Sequence, residues 1–210
     1  MVQSKMKIKI CGITNKDDAI NAVSLGADAL GFIFYKQSPR YIAPSIVEEI
    51  THYLPPYVSI VGVFVNEEKT QIQRITNQCK LDIIQLHGNE SPADCINLNK
   101  RTTKAFSIKD QDDLNPIANY QGMISGMLLD TKAEDIKGGT GQTFDWGLAI
   151  RAKEYDIPLI LAGGIKSENI KKAIQLVNPY GIDVSSGVES EPGKKDYNKM
   201  KELISEAKNV

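Results

Sequence analysis

Two residues able to do acid–base chemistry stand at the carboxyl ends of apolar runs, Cys11 and Asp130. Cys11 closes the alternating stretch Met6-Lys7-Ile8-Lys9-Ile10-Cys11, which breaks at Gly12. A free thiol titrates near ~8.5, so a neighbouring cation can make it a usable base, and a carboxyl held partly out of water can act as an acid. Together they suit proton transfer. Each also has a plainer reading: Cys11 as a small buried hydrophobe, Asp130 as a cap for the loop that follows it. A nucleophile pair of Cys11 with His87 is chemically open, but no acyl-transfer signature accompanies it. Cys11, His87 and Asp130 lack metal-ligand spacing, so no metal is expected. His52 falls within a helical pattern and reads as a solvated surface residue.

Glycine clusters supply the second chemical signal. Gly138 to Gly141, Gly163-Gly164 and Ser186-Gly187 follow three successive apolar runs, where bare backbone N–H groups and helix amino termini can surround a phosphate. A single such cluster is as well explained by a tight turn, but three in neighbouring units favour a phosphate clamp. No Gly-x-x-x-x-Gly-Lys-Ser/Thr motif occurs, and no Gly-x-Gly-x-x-Gly follows the first strand. Nucleotide and dinucleotide cofactors are therefore disfavoured.

The elements that must position these residues repeat one unit. Strands are expected over 6–11, 29–34, 59–65, 81–86, 103–108, 124–129, 158–161 and 181–184. Helices are expected between and after them, over 15–25, 44–53, 67–78, 91–98, 110–118, 145–155, 167–177 and 195–208. Eight strand–helix pairs without a Pro/Ser-rich linker predict an α/β fold, a (β/α)8 TIM barrel forming a single domain over 1–210. The short fourth helix is the weakest unit. In a barrel, Cys11, Arg40, His87, Asp130, the glycine clusters and Asp183 to Gly187 all fall at one rim, the carboxyl ends of the strands. Period-two geometry puts Lys7, Lys9 and Cys11 on one face of the first strand and Met6, Ile8 and Ile10 on the other. Lys9 would then lie inside the barrel one layer below Cys11, where it needs a partner such as Asp130 or Asp183. There it is either a structural ion-pair residue or the cation that favours thiolate.

Composition narrows the partners. A formal net charge of -1 and a pI near 6.2 give no general basic surface for nucleic acid or an anionic membrane. There is no apolar run of about 18 residues and no secretion leader, so a cytoplasmic protein is expected. Three cysteines without a Cys-x-x-Cys pair fit reduced thiols, with Cys79 and Cys95 as packing residues.

Ile10-Cys11-Gly12-Ile13-Thr14, Phe64-Val65-Asn66, Gln85-Leu86-His87-Gly88 and Gly138-Gly139-Thr140-Gly141 with Phe144-Asp145-Trp146 occur in that order. They are followed by Asp183-Val184-Ser185-Ser186-Gly187-Val188-Glu189 with Pro192-Gly193-Lys194-Lys195-Asp196. This set closely resembles the phosphoribosylanthranilate isomerase family of tryptophan biosynthesis, over nearly the whole chain. One departure is Gln142, where many members carry lysine.

The resemblance implies a cofactor-independent Amadori rearrangement of N-(5-phosphoribosyl)anthranilate to 1-(2-carboxyphenylamino)-1-deoxyribulose 5-phosphate. It implies Asp130 as general acid, Cys11 as general base, Arg40 as partner of the anthranilate carboxylate and Asp183 as a sugar-hydroxyl contact. Gln85 and His87 are implied as rim contacts to substrate. The phosphate is expected on backbone N–H groups of Gly141, Gly164, Ser186 and Gly187. The only partner expected is the phosphoribosyl substrate, bound by a monomer or homodimer. Two rivals stand beside this reading. One is another phosphosugar isomerase barrel, of which the histidine-pathway type carries aspartate where this chain has Cys11. The other is a non-catalytic barrel that binds a phosphorylated ligand.

Overall fold

The computed structural model describes residues 6–130 and 146–210. Gly141, Gln142 and the first residue of the helix expected over 145–155 lie outside the described residues. Eight parallel strands close into a barrel in chain order: β1 (Lys7–Cys11), β2 (Ala29–Ile33), β3 (Ser59–Phe64), β4 (Ile83–Leu86), β5 (Arg101–Ser107), β6 (Gly126–Asp130), β7 (Leu159–Leu161) and β8 (Gly181–Val184). The α-helices are α1 (Lys16–Ser24), α2 (Pro44–Thr51), α3 (Lys69–Gln78), α4 (Trp146–Ala152), α5 (Ser167–Val177) and α6 (Tyr197–Lys208). A two-stranded hairpin, β9 (Glu189–Glu191) with β10 (Lys194–Lys195), follows the barrel's last strand. Among the described residues, no helix is long and apolar enough to cross a membrane.

Alternation along β1 explains how the barrel divides its residues. Ile8 and Ile10 are fully buried in the layer between strands and helices, which leaves Lys9 and Cys11 on the barrel's inner side. Helix α5 completes the outer layer with Ile170, Ala173, Ile174 and Val177, a stripe at i, i+3, i+4 and i+7. Burial of each branched side chain in that stripe contributes about 1.5–3 kcal/mol. The helix ends at Asn178, whose left-handed backbone (φ 46) stops it before β8.

The crossovers after β4 and β5 are not the α-helices expected over 91–98 and 110–118. The first is a 3-10 turn, Pro92–Cys95, after which Asn97 and Asn99 adopt left-handed backbone. The second is a 3-10 helix, Asp112–Tyr120, with Pro116 inside it. Proline removes a backbone donor, and the Asp110 and Asp113 carboxylates capture the N–H groups of Lys109, Asp112 and Asp113. Closure survives because it depends on strand register, and β4, β5 and β6 pair in parallel regardless of what connects them.

Candidate active site

The strands' carboxyl ends surround a cavity of about 360 Å³, lined by Cys11, Arg40, His87, Asp130, Gly163, Gly164, Asp183, Ser185, Ser186 and Gly187 among others. Register builds its floor. Lys9 on β1 is the direct partner of Asp183 on β8, and its Nζ donates to both carboxylate oxygens at 2.9 Å. Of the two partners expected for Lys9, Asp183 is therefore the one it has, because β8 adjoins β1 whereas β6 does not. On the other side of β1, Cys11 pairs with Gly31. A Cβ at position 31 would lie 2.7 Å from Cys11 Sγ and 2.9 Å from Lys9 Cε. Gly31 thus makes the space in which thiol and ammonium sit together.

Electrostatics at this floor are mixed. Burial pushes the Cys11 thiol up; the Lys9 ammonium pulls it back only in part, and Asp183 adds to the rise. Burial works against the charge on Lys9, but Asp183 and Cys11 outweigh it and hold the ammonium above its ordinary value. Burial also pushes Cys79 up to about 12 and Cys95 up to about 11, as suits packing thiols. His52 is exposed at the end of α2.

Arg40 reaches the cavity from the loop after β2, across Gly12. Gly12 has left-handed backbone (φ 76), and a Cβ there would meet Arg40 Cδ at 2.6 Å. Arg40 is not an open fork. Its Nε donates to one oxygen of Glu189 at 2.8 Å and its Nη2 to the other at 2.6 Å, and these bonds hold the guanidinium above its ordinary value. Lys195 donates to the same carboxylate at 2.8 Å with its side chain wholly buried. Burial lowers Lys195; it would raise Glu189, but Arg40 and Lys195 outweigh it and hold that carboxyl below its usual range. The β9–β10 hairpin is what brings this pair under Arg40, and Lys195 N–H anchors it to Asp18 of α1 at 2.8 Å. Glu189 and Lys195 were not among the expected site residues. Both lie in the 183–196 motif, but their pairing with Arg40 needs the fold. Ser185 Oγ, beside Gly12, is buried without a hydrogen-bond partner among the described residues.

The glycine loops after β7 and β8 form one wall. Gly163 and Gly164 take left-handed backbone (φ 76 and 64), and Asn169 from the first turn of α5 donates to the Gly164 carbonyl at 2.9 Å. A Cβ on Gly187 would overlap the Ile165 carbonyl, so the two loops touch only because that residue is glycine. Gly141, the fourth residue expected at the phosphate, lies outside the described residues.

Gln85 and His87 are placed differently from each other. His87 lines the cavity, whereas Gln85 is 2% exposed and lines a second, lower cavity at the amino ends of the strands. They are joined: Gln85 Nε2 lies 3.1 Å from His87 Nδ1, and His87 Nε2 lies 3.3 Å from Asp130 Oδ2.

Comparison with known proteins agrees over the whole fold. A family model described as PRAI, N-(5'phosphoribosyl)anthranilate (PRA) isomerase, matches residues 8–206. The N-(5'-phosphoribosyl)anthranilate isomerase of Trichlorobacter lovleyi is 47% identical over 203 residues, covering 97% of this chain and 98% of that protein. The crystal structure of phosphoribosyl anthranilate isomerase from Thermotoga maritima superposes with a TM-score of 0.91 at 42% identity, over 98% of this chain and 100% of that one. A phosphoribosyl anthranilate isomerase solved with reduced 1-(o-carboxyphenylamino)-1-deoxyribulose 5-phosphate gives a TM-score of 0.89 at 40% identity, with the same coverage. The chain belongs to the N-(5'-phosphoribosyl)anthranilate isomerase family.

Proposed function

We propose that this chain converts N-(5-phosphoribosyl)anthranilate to 1-(2-carboxyphenylamino)-1-deoxyribulose 5-phosphate in tryptophan biosynthesis, with Asp130 as general acid and Cys11 as general base. The observation that carries this reading is that one cavity has Cys11, Asp130, Arg40 and the Gly164 and Ser186–Gly187 loops on its walls. Asp130 gives a proton to the furanose ring oxygen, the C1–O bond opens, and the anthranilate nitrogen supplies the electrons that leave a protonated Schiff base. The Cys11 thiolate then removes the proton on C2, and the electron pair flows into the imine to give an enolamine. Tautomerisation yields the ketone. The route needs no cofactor, because the imine itself is the electron sink.

The order of events fits the charge at Cys11. Burial keeps the thiol above its ordinary value. A cationic imine beside it adds to the Lys9 ammonium and favours thiolate only once the substrate has opened. A guanidinium has five N–H donors; Glu189 takes two of those on Arg40, which leaves three for the anthranilate carboxylate. Asp183, with both oxygens on Lys9, retains lone pairs to accept a sugar hydroxyl. Backbone N–H groups of Gly141, Gly164, Ser186 and Gly187 receive the phosphate. The active species is a monomer or homodimer in the cytoplasm, folded as one domain.

The direct test is loss of fluorescence from freshly generated phosphoribosylanthranilate on adding the purified protein. Tight binding of the product without turnover would favour the non-catalytic barrel instead.

A further inference from the structure

As general acid, Asp130 has to hold its proton on the oxygen that faces substrate, and His87 lies against the other one, Oδ2. Gln85 Nε2 faces His87 Nδ1 at 3.1 Å, and with the amide nitrogen in that place Gln85 donates and Nδ1 accepts. A neutral imidazole that accepts at Nδ1 carries its proton on Nε2. That N–H points at Asp130 Oδ2, 3.3 Å away. Gln85 is nearly fully buried on β4, with Val63 and Thr103 as its register partners on either side. His87 and Asp130 are both partly exposed to the cavity, so without such a lock either ring or carboxylate could rotate.

We propose that Gln85 and His87 are positioning residues for the general acid: Gln85 fixes the Nε2–H tautomer of His87, and His87 occupies Oδ2 of Asp130 so that the acid proton resides on Oδ1. This rests on the assignment of Asp130 as general acid and goes beyond it. It replaces the role of substrate contact for Gln85 and makes His87 a residue that acts through Asp130. The lock also keeps His87 from serving as a proton source. Losing Nε2–H to Asp130 would leave an imidazolate unless Nδ1 gained a proton, and the amide of Gln85 blocks that position.

Two measurements decide it. The chain has two histidines, so nitrogen-15 NMR of histidine-labelled protein, with the exposed His52 assigned by His52→Gln, reads the ring of His87 directly. The expected spectrum is neutral imidazole protonated at Nε2 at neutral pH, with Gln85→Leu giving a tautomer mixture. An Nδ1–H ring, or an imidazolium, in the unsubstituted protein overturns the proposal whether or not any variant folds. In kinetics, His87→Leu should lower kcat about 10-fold with KM little changed, and His87→Gln, whose amide N–H reaches the same place, should regain most of it. A folded His87→Leu protein with kcat within about twofold of wild type, or with a raised KM alone, also overturns it. Asp130→Asn separates the two claims. If Asp130→Asn is inactive while His87→Leu is fully active, only the positioning role falls; if Asp130→Asn turns over normally, the acid assignment falls and this proposal with it.

Discussion

Replacing Glu189 by glutamine should expose how the Arg40 site is held in place. The Glu189 carboxylate is 5% exposed and sits between Arg40 and a Lys195 side chain that is 0% exposed. Without it, the Lys195 ammonium loses the carboxylate it is paired with, and burial should make it shed its proton on folding. An ordinary lysine titrates near ~10.4, about 3.4 pH units above neutrality, so discharging it at pH 7 costs at most ~4.6 kcal/mol. The direct figure for breaking a buried ion pair, ~3–5 kcal/mol, agrees. We expect a loss of ~3–4 kcal/mol at pH 7, which at a urea slope of ~2 kcal/mol/M lowers the midpoint by about 1.5–2 M. The sign with pH follows from proton binding. Lys195 in the variant has a folded value below its unfolded one, so the unfolded chain binds more protons and stability rises with pH. The deficit should therefore shrink toward pH 10. Trp146, buried and the only tryptophan, reports the unfolding by fluorescence. A deficit under ~1 kcal/mol at pH 7, or one that grows with pH, would refute the charge assignment.

Other outcomes follow from the same geometry. Gly31→Ala places a methyl group against Cys11 Sγ and Lys9 Cε and should cut turnover at least ~10-fold while the circular dichroism spectrum stays native; unchanged kcat would mean the floor yields without cost. Lys9→Met removes the cation that opposes burial at Cys11, so iodoacetamide should alkylate Cys11 only at higher pH than in the wild type; an identical profile would leave Lys9 as a structural partner of Asp183. Arg40→Ala should chiefly raise KM, by about 10- to 100-fold for a lost carboxylate contact, and a ligand-bound structure with phosphate at position 40 would reverse the substrate's orientation.

The barrel was legible because its strands alternate or run apolar between turn residues, and eight such runs leave few other closures. Lys9 facing inward beside Cys11 came from the same period of two. The fourth and fifth crossovers were misread as α-helices because their apolar spacing looked helical, while Pro116 and the side chains of Asp110 and Asp113 acted on hydrogen bonds that spacing does not register. Gln85 was placed at the rim with His87, yet residues two apart on a strand share a face at different depths, and Gln85 is the deeper one. The Arg40–Glu189 pair spans 149 positions and depends on a five-residue region, Glu189 to Gly193, turning back under the cavity. No local pattern encodes that contact. Ser185 fell within the rim stretch Asp183 to Gly187 but was given no role of its own, and only the folded chain shows its hydroxyl buried without a hydrogen-bond partner among the described residues.

In the proposed mechanism, Cys11 and Asp130 move the two protons. The decisive measurement is turnover of phosphoribosylanthranilate by Cys11→Ala and Asp130→Asn, each checked for native fluorescence of Trp146. We predict that each loses at least ~10²-fold in kcat, the range expected when a general acid or base is removed. Near wild-type turnover by either folded variant would contradict the role assigned to that residue.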